Sequence, residues 1–157
     1  MTAIIERMPA GLPGEVTRMA QSTLEPAIVG DTDIAHGAPV KMVSGKLAPL
    51  EAADTAADVY GFLARSFPCQ GGTGTLTPGV APAGTAVSVM RRGYMLVQLA
   101  SGSAAKNGTV YVRIAVDTGK AVGDIEAALV ADNTVALGAQ FMGEADASGS
   151  VEISYNI

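Results

Sequence analysis

Between residues 85 and 116 the side chains alternate in a way that only a sheet satisfies. The run reads TAVSVMRRGYMLVQLASGSAAKNGTVYVRIAV. Val110, Val112, Ile114 and Val116 fall on one face, with Tyr111, Arg113 and Ala115 on the other. A period of two marks a strand with one face buried. The same alternation sets Met95, Val97 and Leu99 against Tyr94, Leu96 and Gln98, and Val87 and Val89 against Ala86, Ser88 and Met90. The block therefore predicts three strands, with turns at Arg91-Arg92-Gly93 and at Asn107-Gly108.

The rest of the chain extends that pattern. Residues 27–29, 39–43, 59–67, 122–132, 134–142 and 151–157 read as strands. Residues 51–58, EAADTAAD, suit a single helical turn or an irregular loop. With no long helical period anywhere, the expected fold is all-β, a compact β-barrel or jelly-roll-like sandwich. The closing segment VEISYNI puts an apolar residue at every odd position, so the C-terminus is expected to be pinned in a sheet as far as Ile157.

Residues 1–24 differ. Pro9, Gly11, Pro13 and Gly14 interrupt any regular element, which predicts an extended N-terminal arm ahead of a single domain at 25–157. A frayed terminus is the ordinary reading of such a segment. The regular placement of Met8, Leu12, Val16, Met19 and Leu24 argues instead for a strap that meets a partner. On this reading, removal of residues 1–20 leaves the barrel folded. Residues 69–84, rich in Gly, Thr and Pro, form a loop long enough to suggest function.

Composition excludes several classes. The 157 residues suffice for one domain with its own core. A net charge of −5, with Arg91-Arg92 as the nearest thing to a basic patch, carries no footprint for nucleic acid. The opening MTAIIERMPAGLPGE breaks its apolar run at Glu6 and Arg7, so neither a signal peptide nor a membrane partner is expected. Cys69 stands alone, which excludes an internal disulfide.

No chemistry assembles from the residue types. One histidine, His36, and one distant cysteine make no zinc site, and His36 beside Gly37 reads as a loop residue. Gly71-Gly72-Thr73-Gly74-Thr75 lacks the lysine and the helix start of a phosphate loop. The pairs Asp31/Asp33, Asp54/Asp58 and Asp124/Glu126 read as turn residues rather than acid–base or calcium ligands. Neither a catalytic residue nor a cofactor or metal is expected. Arg91 and Arg92 fit a solvated turn, or a rim contact that gives bidentate hydrogen bonds to a partner's carboxylates.

Six stretches together resemble the structural cement, or capsid decoration, proteins of tailed phages. They are RMPAGLPGEVTR from Arg7, HGAPVKMV from His36, VYGFLARSFPCQ from Val59, VSVMRRGYMLVQL from Val87, GTVYVRI from Gly108 and FMGEADASGSVEISYNI from Phe141. The resemblance runs through nearly the whole chain in order. It implies a non-enzymatic protein on the outside of a phage head, made in the bacterial cytoplasm, which joins major capsid protein subunits and associates with itself as a dimer or trimer. The contact residues expected on that basis are Arg7, Met8, Leu12, Val16, Arg18, Arg91, Arg92 and Tyr94. A sugar-binding β-module on a virion surface is the alternative, weakened by the lack of tryptophan. A trimeric barrel hydrolase of nucleotides ranks last, resting on the 71–75 loop alone.

Overall fold

The computed structural model describes residues 11–65 and 79–157. Eleven strands follow in order: β1 (Thr23–Ile28), β2 (Ile34–Ala35), β3 (Pro39–Val43), β4 (Lys46–Pro49), β5 (Gly61–Leu63), β6 (Val80–Ala81), β7 (Ala86–Ser101), β8 (Thr109–Arg113), β9 (Ile125–Glu126), β10 (Thr134–Phe141) and β11 (Ser150–Tyr155). Two short 3-10 turns, Met19–Gln21 and Ala56–Asp58, are the helical content of the described residues. The all-β expectation holds.

Strand β7 organises the molecule because it belongs to two closed rings. Its first half pairs with β1 on one side and β5 on the other. Strand β5 continues to β3 and β3 to β4, and Leu47 of β4 returns to the end of β1 through a parallel bridge to Val29. The second half pairs with β11, which leads through β10 and β8 to β9, and β9 closes back on β7 in parallel. Each ring has its own apolar filling. Val29, Val40, Leu47, Leu63, Val87 and Val89 fill the smaller ring, under a lid made by the β2–β6 pair, whose Ile34 and Ala81 are buried with them. Phe62, Met90, Met95, Val97, Val110, Val112, Phe141, Val151 and Ile153 fill the larger. The inward faces read from the alternation at Val87/Val89, Met95/Val97 and Val110/Val112 are the buried ones.

Several expectations change. No turn interrupts residues 91–93: β7 runs straight through as one strand of 16 residues. The polar pair and glycine instead mark where it changes partners. Thr23 pairs with Arg92 and Leu24 with Met90, leaving Arg91 as an extra residue, and from Gly93 onward the partner is β11. Such a bulge bends a strand and increases its local twist, which lets one strand serve two rings. Strand β8 ends at Arg113, so Val116 is exposed rather than in the core. The strand read over 122–132 shrinks to the two residues of β9, because the turn from Val130 to Thr134 and the loop before it consume the remainder. The last strand ends at Tyr155, and Ile157 is exposed.

The segment read as an arm is not free over its described length. Gly14 N–H donates to Leu96 O at 2.7 Å, Leu96 N–H to Glu15 O at 2.9 Å and Thr17 N–H to Tyr94 O at 3.1 Å. These bonds lay residues 14–17 along the edge of β7 that β11 leaves open. Gly14 also abuts Gly37 so closely that a Cβ on it would fall 2.9 Å from the Gly37 nitrogen and 2.8 Å from the His36 Cβ. His36 is accordingly buried rather than looped out. Burial first, and then the nearby Arg65 guanidinium, hold its pKa below the ordinary 6.5.

Candidate functional site

The residues singled out as contacts divide into three groups. Arg7 and Met8 lie outside the described residues, as do Cys69 and the Gly71–Thr75 loop. Leu12 and Val16 sit on the docked segment, Leu12 exposed and Val16 bridged to Met95 and packed on the larger core. Arg18, Arg91, Arg92 and Tyr94 meet around the partner change in β7.

That junction is held by a close approach between two backbones. Gly93 has φ +136°, and a Cβ there would fall 2.1 Å from Ser22 Oγ. Only glycine accepts both demands. Ser22 Oγ donates to Arg18 O at 2.9 Å and accepts from Tyr94 N–H at 3.2 Å. The Met19–Gln21 turn is thereby fixed on β7, and the Arg18 side chain is carried over the Tyr94 ring at 4.0 Å from its centre. Arg18 then pairs with Glu152 of β11, Nη2 to Oε2 at 3.0 Å and Nε to Oε1 at 3.2 Å, while Thr17 donates to the same carboxylate.

The two neighbouring arginines have different fates. Arg91 lies over the Tyr60 ring at 3.6 Å, donates to Tyr60 O and approaches Glu25 Oε2 at 3.7 Å. Tyr60 Oη donates to the same carboxylate at 2.6 Å, and that bond, with burial, raises the phenol pKa above its ordinary value. Arg91 is thus engaged within its own chain. Arg92 is exposed, and its side chain has neither an ion pair nor a hydrogen bond to a described residue. A partner's carboxylate could meet that guanidinium without breaking any existing bond.

The acidic pairs take structural roles, with one exception. Asp54 accepts from Glu51 N–H at 2.7 Å and pairs with Lys41, whose pKa is raised by Glu51 first and Asp54 second. Asp58 accepts from Thr55 N–H and Oγ1 as a capping box. Asp33 accepts from Ala83 N–H, and Asp124 from Ala121 N–H. Glu126 is the exception. It is 1% exposed and bonded to the fully buried Arg113. Alternation had placed Arg113 on the solvent side of β8, and no signal in the sequence distinguished it from an exposed arginine. Among the described residues no group of three or more His, Cys, Asp or Glu is arranged to hold a metal ion.

The fold and this surface define a structural β-module: two fused rings of strands, with a docked N-terminal segment and cationic groups at their junction. A family model described as structural cement protein (E217 gp24/Pam3 gp6) matches residues 2–156. The chain belongs to that family of phage structural proteins, and its place is the capsid of the virion. In three dimensions it is similar to a chain in a structure titled "The capsid of Myoviridae Phage XM1", with a TM-score of 0.73 at 20% identity. That match covers 98% of this chain and 95% of the other, and it shows a shared fold. No curated protein matches.

Proposed function

We propose that the protein cements the outer surface of the head, binding across junctions between major capsid protein subunits as a homo-oligomer, dimer or trimer. On this reading residues 1–24 act as the arm and 25–157 as one folded body. The contact surface comprises Arg7, Met8, Leu12, Val16, Arg18, Arg92 and Tyr94, with Arg91 bracing it from within. The observation that carries the reading is Arg92, a cation unpaired among the described residues and set beside the Gly93–Ser22 junction. Its planar guanidinium presents paired N–H donors to a carboxylate, so less freedom is lost per hydrogen bond formed on docking. Exposed Leu12 and Met19 on the docked segment add apolar area nearby.

Sugar binding finds less support, because three of the four tyrosines have a ring face or edge taken up within the chain and only Tyr111 does not. Tyr60 and Tyr94 each carry an arginine over the ring, and Tyr155 is buried edge-on to Phe62 at 5.0 Å.

Co-sedimentation with heads that lack the protein tests the proposal. Wild-type chain should pellet with heads at a fixed ratio to the shell protein. Arg92→Glu should fold normally and bind about tenfold or more weakly, the scale of one lost charge-assisted contact. Equal binding by both would remove Arg92 from the interface.

A further inference from the structure

The larger ring is closed by its shortest strand. Between β7 and β8 stands only β9, with Ile125 opposite Leu99 and Val112, and Glu126 opposite Ser101 and Tyr111. Three flanking backbone bonds support it, Ala127 N–H to Ser101 O at 3.0 Å, Arg113 N–H to Asp124 O at 2.9 Å and Gly123 N–H to Arg113 O at 2.8 Å. Few backbone bonds hold a two-residue strand, so its side chains decide whether it stays.

One carboxylate does most of that holding. Arg113 Nε donates to Glu126 Oε1, while Lys120 Nζ donates to Glu126 Oε2 at 3.1 Å and to Ser101 Oγ at 3.1 Å. Arg113 Nη1 is buried and has no hydrogen-bond partner; its nearest other acid is Asp117, at 4.0 Å. Asp124 faces the same guanidinium more distantly from the covering loop. Tyr111 of β8 also stands opposite Glu126; among the described residues the charged groups bonded to the carboxylate are Arg113 of β8 and Lys120 of the loop, the latter shared with Ser101 of β7.

We propose that β9 is an acid-released latch, closing the larger ring only while the Glu126 carboxylate is ionised and holds Arg113 and Lys120 against β7. Protonation of Glu126 removes the one anion hydrogen-bonded to a buried guanidinium, leaving Asp117, at 4.0 Å, as the nearest acid. Arginine cannot lose its proton in response, and a buried unpaired charge is strongly unfavourable. Opening of the 114–127 segment hydrates it. The rest of the ring is tied by longer ladders, so the opening is local.

The direction with pH follows from the same contacts. Burial pushes the Glu126 carboxyl up, and the hydrogen bonds from Arg113 and Lys120, with their charges, outweigh it, leaving the group below its ordinary 4.5. A depressed folded pKa contributes stability that is complete above the ordinary value and lost as pH falls through the folded one. The latch is therefore shut at neutral pH and opens in acid.

Hydrogen exchange of the full chain, read by mass spectrometry from pH 7 to pH 3 and corrected for intrinsic rates, tests this. Peptides across 114–127 should lose protection in acid by up to about tenfold per pH unit, the slope of one proton, while β10 and β11 stay protected. Lys120→Met, a change on the covering loop, should move the opening to higher pH. The paired change Arg113→Met with Glu126→Leu should hold 114–127 closed throughout. Protection that persists at pH 3, or that is lost everywhere at once, overturns the latch. So does an opening midpoint unmoved by Lys120→Met, or a doubly substituted chain that opens as wild type does.

Discussion

Gly93 is the residue on which the junction most depends, and its substitution separates two effects. Gly93→Ala meets both an unfavourable φ and the Ser22 hydroxyl. It should destabilise the chain by about 2–4 kcal/mol, seen as a lower midpoint in urea or heat. Adding Ser22→Gly takes away the hydroxyl and Cβ but leaves the Ser22 Cα at 2.7 Å and the backbone strain, and it gives up the bonds to Arg18 O and Tyr94 N–H, so only a minor part of the loss should return. Full recovery would mean that the strain at φ +136° is negligible. The neighbouring arginines behave oppositely. Arg92→Ala should leave stability within about 0.5 kcal/mol of wild type, whereas Arg91→Ala should cost about 1–2 kcal/mol through the lost stack on Tyr60 and the hydrogen bond to its carbonyl. Denaturant midpoints measured side by side check this. At this scale the sequence was only partly informative. It marked Arg-Arg-Gly-Tyr as unusual, yet could not tell the braced arginine from the free one, because that depends on Tyr60 and Glu25, which are brought there by other strands.

Among the elements, those with clean alternation were legible and those defined by their neighbours were not. Strands β8, β10 and β11 each bury one face, so the period of two identifies them to within a few residues. Strand β7 was read as two because a polar pair followed by glycine usually ends a strand. Here it changes a strand's partners instead, something only the second ring explains. Strand β9 left no pattern at all, since two residues cannot show a period. The N-terminal segment was legible only in part, for a related reason. Its Pro and Gly residues forbid regular structure, but Gly14 is what allows the chain to thread past Gly37 and lie on β7. The docked part should therefore matter for folding. A chain beginning at Gly11 keeps every bond described here. A chain beginning at Arg18 uncovers Leu96, which is 2% exposed, and should lose about 2–4 kcal/mol from lost burial and the unmade ladder. Equal stability of the two would return residues 11–17 to the status of a free arm.

For the molecule as a whole, a single strand shared by two rings couples them mechanically. Phe62 and Met90 lie at that seam, paired across β5 and β7 while their side chains enter the larger core, and the next residue, Leu63, enters the smaller. Phe62→Ala should cost about 3–5 kcal/mol and, because both rings lean on the seam, lower one common unfolding transition rather than split it. Two separated transitions in calorimetry would show the rings to be independent. A body of this kind, with no long unsupported loop at the Gly93 junction, presents Arg92, Tyr94 and the docked segment as a fixed surface. That suits a protein that adds stiffness to a shell by occupying it in many copies. The most direct measurement is the temperature at which phage heads lacking the protein release their DNA, with and without saturating purified chain. The account predicts a clear rise with wild type, proportional to the copies bound, and a smaller one with Arg92→Glu at the concentration that just saturates wild type. Heads that bind the protein at full occupancy yet open at an unchanged temperature would contradict it.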